Sequence, residues 1–305
     1  MESTQEINEA AILTTPAPPR RFSRFTVGQP GNLLLALFLW ALIASMIIPL
    51  LNVLTVSFST SLDSVRPGIH LWPSTWSLEG YQTVWERLEL WRPFMNSVIV
   101  SVFGTFFHVF LASLAGYVLI QRDLPGKSLL ISFILGTMVI PSETIMIPLY
   151  IVNKDLGLLN TLTSLVISGL VSGFSILLMR NYFLGVPYEL AEAARIDGAN
   201  DFRIYLRVYL PVSTPGLATI ALFEFVSRWN QFMAALLYIK DTDLFTLQLA
   251  LRSLVISSDS TSRAEFIGPN VQMAGIVIAL VPLILIYPLA QKYFIKGITL
   301  GSTKE

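Results

Sequence analysis

The sequence contains no cysteine, only two histidines and few charged residues. The absence of cysteine excludes a disulfide framework, thiol catalysis and a cysteine metal site. Neither histidine has a set of other metal ligands close to it in the sequence, so we expect no metal site. Charged residues make up 13% of the 305 positions and hydrophobic residues 53%. Because soluble globular domains carry about 25% charged residues, this composition indicates a membrane protein.

Further absences limit the function classes. The formal net charge is +0, which gives no support to nucleic-acid binding. The chain has no Walker P-loop, so we expect no ATP hydrolysis by this chain. An enzyme that works inside a membrane needs acids, histidines or metal ligands at one depth, and the apolar runs carry only isolated ionisable groups. The sequence therefore does not predict an enzyme.

Six apolar runs have about the length of 20 residues that a helix needs to cross a bilayer. They lie at about 33–58, 94–120, 129–152, 161–183, 216–239 and 271–294. Pro141 and Pro148 break the third run. These runs predict an all-α membrane protein with six transmembrane helices, which puts both chain ends on one side of the membrane.

The basic residues indicate which side that is, because positively charged loops stay in the cytoplasm. With both ends inside, twelve of the 20 Lys and Arg residues lie in inner segments and seven in outer segments. This bias favours cytoplasmic N- and C-termini. The predicted parts of the chain are a cytoplasmic tail 1–31, a first helix with an outer loop 32–93, a core domain 94–296 with a cytoplasmic loop 185–212, and a cytoplasmic tail 297–305.

The cytoplasmic loop carries local signals for two short helices. Pro187 is tolerated at a helix start, where its missing N–H is not needed, and residues 188–196 are compatible with a helix. Gly198 then ends this helix, because glycine enters the left-handed conformation without a steric penalty. Aromatic residues with arginines between them follow at helical spacing, which predicts a second helix at the membrane surface. These aromatic residues are Phe202, Tyr205 and Tyr209.

The same loop matches a motif of a known family. Its residues follow the pattern E-A-A-x3-G-x9-I-x-L-P, with Glu192, Ala193, Ala194, Gly198, Val208 in place of Ile, Leu210 and Pro211. This resembles the EAA loop of permease subunits of bacterial ABC importers. From about Phe94 to the C-terminus the chain is similar to the second permease of the maltose-transporter family, in the phrases IPLY at 147–150, LGLLN at 156–160 and WNQF at 229–232.

The resemblance implies a type I ABC importer permease fold in the bacterial cytoplasmic (inner) membrane. It also implies partners, namely a homologous permease subunit in a heterodimer, two ATPase subunits that bind ATP and Mg, and an extracytoplasmic substrate-binding protein. No cofactor in this chain is implied. The helix after Pro187 would dock into an ATPase, and the residues expected to couple the two subunits are Glu189, Glu192, Ala193, Ala194, Arg195, Asp197 and Gly198.

Within this family the permeases for uronate-containing and other complex oligosaccharides are the most similar, so we expect a sugar substrate, with an acidic oligosaccharide as one form. An importer of a neutral sugar or of glycerol phosphate is an alternative. An ATP-independent channel or carrier is an alternative of another class, and it would not need the EAA loop.

Five residues inside the apolar runs are candidates for a substrate pathway, because polar groups in a membrane are costly unless they face protein or a wet cavity. They are Glu143, Glu224, Arg228, Trp229 and Asn230. Glu224 lies four residues before Arg228, the favourable order for a helical ion pair, so one interpretation is a structural pair. The other is that Arg228 faces the cavity and holds a sugar carboxylate while Trp229 stacks on the sugar ring.

Three further residues of the second run are assigned to the protein interior. His108 is predicted to be a hydrogen-bonded buried group. The spacing of Ala112 and Gly116 predicts a stripe of small residues that lets another helix approach closely.

Overall fold

Helices make up the regular secondary structure of residues 30–259 and 267–301, which are the residues that the computed structural model describes, apart from one bridge between Ser59 and Trp76. In chain order the helices are α1 Pro30–Ser57, α2 Ser61–Ser64, α3 Glu79–Leu88, α4 Trp91–Val118, α5 Lys127–Val139, α6 Ser142–Asp155, α7 Leu162–Ile167, α8 Gly173–Leu184, α9 Tyr188–Ile196, α10 Asp201–Val212, α11 Thr214–Trp229, α12 Met233–Tyr238, α13 Leu247–Asp259 and α14 Pro269–Gly301. The prediction of an all-α protein is confirmed for these residues. Two predicted segments fall partly outside the described residues. These parts are 1–29 of the predicted N-terminal tail 1–31 and 302–305 of the predicted C-terminal tail 297–305.

Three helices of the described segments are long and apolar enough to cross a membrane. They are Leu33–Ser57, Trp91–Val118 and Pro269–Pro288. Two bent pairs pass the same test together, namely α5 with α6, which meet at 101°, and α10 with α11, which meet at 81°. The first bend lies at Pro141, in agreement with one of the two predicted breaks of the third run, because proline has no N–H to continue the helical ladder. The other predicted break, at Pro148, is wrong, because Pro148 lies inside α6.

The predicted fourth and fifth spans are not continuous helices. The fourth is divided into α7 and α8 by residues 168–172, where Gly169 has a φ of 81° and Ser172 accepts a hydrogen bond from the first turn of α8. The fifth ends at Trp229, and the short helix α12 follows after Asn230 and two further residues. In both places local polar residues compete with the helix for backbone hydrogen bonds.

The described residues form two compact units, one that ends at Leu50 and one that begins at Leu51. In the first unit, α1 from Leu33 to Leu50 exposes its large apolar side chains along its length, as in Leu34 and Trp40. Such a surface is typical of a helix that faces lipid.

The core of the second unit is built around α4, which packs against α7, α8 and α11. Ala112 and Gly116 lie where α4 meets α8. A Cβ atom on Gly116 would stand 2.9 Å from the backbone nitrogen of Arg180 and 3.0 Å from Cβ of Met179. The predicted close approach at these small residues is therefore confirmed.

The second helix of the loop, α10, forms after Gly198 as predicted. Tyr205 and Tyr209 are buried, and their ring centroids lie 5.3 and 5.1 Å from that of Tyr117 on α4. Only Phe202, of the three aromatic residues, is exposed. Two of the three aromatic residues of α10 therefore pack against the protein, and the position of this helix at the membrane surface stays a prediction. Residues 205–209 form a π-helical turn just before Pro211, whose missing N–H leaves the carbonyl of Arg207 without its helical donor.

Candidate coupling loop and buried polar network

The first candidate site is α9, the short helix of the loop 185–212 that is predicted to be cytoplasmic. It runs from Tyr188 to Ile196 directly after Pro187, as predicted. Gly198 has a φ of 80° and donates to the carbonyl of Arg195 at 3.0 Å, while Ala199 donates to the carbonyl of Ala194 at 2.9 Å. These two bonds form a Schellman motif, which ends a helix at a left-handed residue. The predicted role of Gly198 as the helix stop is confirmed.

Most of α9 faces outward. Ala191 is 1% exposed and is the one fully buried residue of the helix, and Ala194 is half-buried. The predicted coupling residues are otherwise exposed, and these are Glu189, Glu192, Ala193, Arg195, Asp197 and Gly198. Ile196 is 86% exposed at the end of the helix. A short helix that presents carboxylates, small residues and an exposed isoleucine has the form of a docking element.

A cluster of polar and aromatic side chains holds the two ends of α9. The guanidinium carbon of Arg122 lies 3.8 Å from the centroid of the Tyr188 ring. Arg195 donates one hydrogen bond of 3.1 Å to the hydroxyl of Tyr188 and another of 3.1 Å to a carboxylate oxygen of Asp201. The hydrogen bond with Asp201 raises the pKa of Arg195, so the guanidinium stays charged. No sequence pattern assigned a role to Arg122, Tyr188 or Asp201, and the one available signal was a basic residue just after the second apolar run.

The second candidate site is a buried network around α11. Nε of Arg228 donates to Oε1 of Glu224 at 2.6 Å, so the predicted ion pair forms. Nη1 of the same guanidinium donates to the carbonyls of Leu165 and Val166 at 3.0 and 3.1 Å. The Arg228 side chain is 3% exposed and packs against Gly104 on α4. Only glycine leaves room for it there, because a Cβ atom on Gly104 would lie 2.5 Å from Cδ of Arg228.

His108 joins this network from α4. Its Nδ1 lies 3.1 Å from the carbonyl of Gly169 and 3.4 Å from Oε1 of Glu224. Because both partners accept, Nδ1 carries a proton, and in the neutral ring Nε2 then accepts from the hydroxyl of Ser175 at 2.8 Å. The prediction of a hydrogen-bonded interior histidine is confirmed.

The five candidate pathway residues do not all share one environment. Trp229 is 1% exposed, its Nε1 donates to the carbonyl of Ala279 at 2.9 Å, and its ring stacks on Phe225. Stacking on a sugar needs an exposed ring face, and this structure offers none at Trp229. Asn230 and Glu143 are exposed. The network thus brings Glu224 and Arg228 together, Trp229 packs against α14, and a pathway role for any of the five stays a prediction.

Comparison with known proteins identifies relatives over most of the chain. The chain is 37% identical over 276 residues to the polygalacturonan/rhamnogalacturonan transport system permease protein YtcP of Bacillus subtilis strain 168, covering 88% of this chain and 95% of the relative. It is 32% identical over 261 residues to the arabinooligosaccharides transport system permease protein AraQ of Halalkalibacterium halodurans, covering 85% of this chain and 91% of the relative.

A solved structure has the same fold. It is the crystal structure of a bacterial ABC transporter involved in the import of the acidic polysaccharide alginate, which matches with a TM-score of 0.80 and 29% identity over 92% of this chain and 100% of that chain. The predicted type I ABC importer permease fold is confirmed by this match.

A family model named binding-protein-dependent transport system inner membrane component matches residues 108–300. The matched segment contains α9, Gly198 and the network of His108, Glu224 and Arg228. It is a family of transport subunits, so the expectation of a multi-pass protein of the inner membrane without an enzymatic site of its own is confirmed. The chain belongs to the family of binding-protein-dependent transport system inner membrane components.

Proposed function

We infer that this chain is the permease subunit of an ATP-driven importer of oligosaccharides, acidic ones among them. The observation that carries this proposal is α9, an exposed helix with a Schellman end in a loop that follows the EAA pattern. A channel or a secondary carrier has no need of such a docking element. In this proposal the exposed side of α9, including Glu192, Ala193 and Ile196, enters a groove of an ATPase subunit that binds ATP and Mg.

The transmembrane topology belongs to the same proposal. We count the three long helices and the bent pair of α5 and α6 as four crossings, α7 with α8 as another, and α11 with α12 as the last, so that α10 stays in the loop 185–212. Six crossings with the basic residues biased inward put both termini and the loop 185–212 in the cytoplasm. The core domain is then 94–296, preceded by the tail 1–31 and by the first helix with its outer loop 32–93, and followed by the tail 297–305.

The partners follow from the family and from the substrate pathway, of which this chain forms one half. The family works with a substrate-binding protein, as its name states. We assign a homologous permease as the second half of a heterodimer, two ATPase subunits below it and the binding protein on the outer side. Closure of the ATPases moves α9, and the helices packed on α4 rock so that the pathway opens outward.

The substrate class is drawn from the relatives and from the charge of the network. Relatives named for polygalacturonan/rhamnogalacturonan and for alginate favour an acidic oligosaccharide. A relative named for arabinooligosaccharides favours a neutral one. Arg228 is engaged by Glu224 and by two carbonyls, so we assign it to the structure of the permease and not to carboxylate recognition. This revises the pathway role that the sequence suggested for it, and the exposed residues Glu143 and Asn230 remain the candidates for the pathway.

The test is ATP-dependent uptake by the reconstituted importer in proteoliposomes. Trigalacturonate and arabinotriose, each labelled, are offered outside with the binding protein, and ATP is enclosed with the ATPase subunits. We expect uptake of trigalacturonate that stops when ATP is replaced by a non-hydrolysable analogue. Uptake of arabinotriose alone contradicts the acidic substrate and keeps the importer. Uptake that persists without the ATPase subunits contradicts the importer and favours a channel or a carrier.

A further inference from the structure

The N-terminal residue of α9 is held from a distant part of the chain. Tyr188 lies with its ring under the guanidinium of Arg122, whose central carbon is 3.8 Å from the ring centroid. A separation of 3.8 Å is direct stacking, well inside the limit of about 6 Å for a cation attracted to a ring face. Arg122 follows the cytoplasmic end of α4, so this contact joins α4 to α9 across 66 positions of sequence.

A second contact joins α4 to the other end of the loop. The hydroxyl of Tyr117, in the last turn of α4, donates to the backbone carbonyl of Asp201 at 3.2 Å. Asp201 in turn accepts from Arg195, the last basic residue of α9, and Arg195 also bonds the hydroxyl of Tyr188. Both ends of α9 are therefore connected to the end of α4 through side chains, in addition to their chain connections.

These contacts matter because α9 has little packing of its own. Ala191 is the one fully buried residue among its nine, and Ala194 is half-buried against the same core, so hydrophobic burial holds the helix through two small side chains. A helix held by so small a contact can turn about it, and force applied to its exposed side would then rotate the helix without moving the core. Two lateral attachments to α4, the helix on which α7, α8 and α11 pack, remove that freedom.

We propose that Arg122 is a positioning residue of the coupling machinery, which by stacking on Tyr188 makes α9 and α4 move as one body. This rests on the proposed function, since it takes α9 as the element that the ATPase displaces. The contact with Arg122 is made by the ring of Tyr188 and does not need its hydroxyl, whereas the hydrogen bond from Arg195 does need the hydroxyl. The two attachments of Tyr188 are thus separable by substitution.

The experiment measures the coupling ratio, substrate molecules imported per ATP hydrolysed, in the complete reconstituted importer with the trigalacturonate or arabinotriose probe that the wild type takes up. For Arg122→Ala we expect the ratio to fall about two- to fivefold, the factor that the attraction of an exposed cation for a ring corresponds to. ATP hydrolysis continues and the ATPase co-purifies in normal amount. Tyr188→Leu should give the same loss, and the double variant Arg122→Ala with Tyr188→Leu should be no worse than either single one.

Two matched variants separate the stack from a general effect on the loop. Tyr188→Phe keeps the ring and should retain the coupling ratio of the wild type. Arg203→Ala removes an exposed arginine of the same loop that is not part of the stack, and it should also leave the ratio unchanged.

Three outcomes overturn the inference. An unchanged ratio in Arg122→Ala shows that the stack transmits nothing. Loss of ATPase co-purification in Arg122→Ala shows that Arg122 contacts the ATPase and does not position α9. Losses that add in the double variant show that the two residues act separately. Absence of ATP-driven uptake by the wild-type assembly contradicts the proposed function itself, so the two failures are distinguishable.

Discussion

Replacing Arg228 by glutamine tests whether the buried network is structural. The substitution removes the donor that lies 2.6 Å from Oε1 of Glu224 and the nitrogen that serves the carbonyls of Leu165 and Val166. Glu224 then remains as a carboxylate that is 16% exposed, with His108 at 3.4 Å as its other neighbour. Breaking a buried ion pair from one side costs about 3–5 kcal/mol, because a charge is left without compensation. We expect a loss of that size in the free energy of unfolding.

The double variant Glu224→Gln with Arg228→Gln gives the sharper measurement. It removes both charges together, while both variants lose the hydrogen bonds to the two buried carbonyls, so the two differ in the uncompensated carboxylate of Glu224. The double variant should therefore be more stable than Arg228→Gln alone by about 2 kcal/mol or more, although it carries one more substitution. Residues that contribute independently would give the opposite order.

The assay is equilibrium unfolding in mixed micelles, with uptake of trigalacturonate and arabinotriose measured on the same variants. Arg207→Gln is the matched control, because Arg207 is exposed and its replacement should change stability by no more than about 0.5 kcal/mol. We expect Arg228→Gln to lower both uptakes equally and the second substitution to restore them in part. If Arg228→Gln leaves the unfolding free energy unchanged and lowers only the uptake of trigalacturonate, Arg228 binds the substrate and the structural interpretation is wrong.

Three other predictions concern single positions. Gly198→Asp should abolish ATP-dependent uptake while membrane insertion persists, since a side chain at φ 80° costs on the order of 1 kcal/mol and distorts the end of α9; normal uptake at normal expression contradicts this. Cysteines placed at Asn230 and Glu143, in a chain without native cysteine, should react with a water-soluble thiol reagent in an ATP-dependent manner, and resistance of both with and without ATP removes them from the pathway. Gly116→Ala should lower the free energy of unfolding by about 1–3 kcal/mol, because the added Cβ would lie 2.9 Å from a backbone nitrogen. Gly136→Ala should not lower it, because the space around Gly136 is open, and equal effects of the two variants would contradict the packing argument.

The parts of the structure that the sequence predicted depend on local chemistry. The bounds of α9 follow from Pro187 and Gly198, each of which acts within one helical turn. The ion pair of Glu224 and Arg228 follows from a spacing of four residues on one helix. Neither prediction needed any knowledge of how distant helices pack.

The parts that the sequence did not predict depend on distant contacts. Hydropathy averages over a window, so the short interruption at 168–172 disappears inside the apolar run 161–183. Tyr205 and Tyr209 have the spacing of a surface helix, and only the position of Tyr117 decides that they are buried. The contact between Arg122 and Tyr188 joins the turn after α4 to the start of α9, and the sequence near Arg122 does not show which ring it will meet.

The break between α7 and α8 explains why an ionised arginine lies in an apolar part of the chain. A helix that ends inside an apolar environment leaves its last carbonyls without donors unless other groups of the protein supply them. Here the backbone N–H of Ser168 donates a hydrogen bond to the carbonyl of Ser164. The N–H of Leu170 donates to the carbonyl of Ile167.

Arg228 donates hydrogen bonds to the carbonyls of Leu165 and Val166, the two residues between Ser164 and Ile167. His108 donates to the carbonyl of Gly169, which lies in the break itself. All four carbonyls of the last turn of α7 are therefore satisfied, two of them by a side chain from another helix. The guanidinium also places positive charge at the negative end of α7, which is the favourable direction for a helix dipole. Glu224 neutralises that charge and fixes its position, so the pair that the sequence shows as an isolated feature of one helix is what allows a neighbouring helix to end inside the protein.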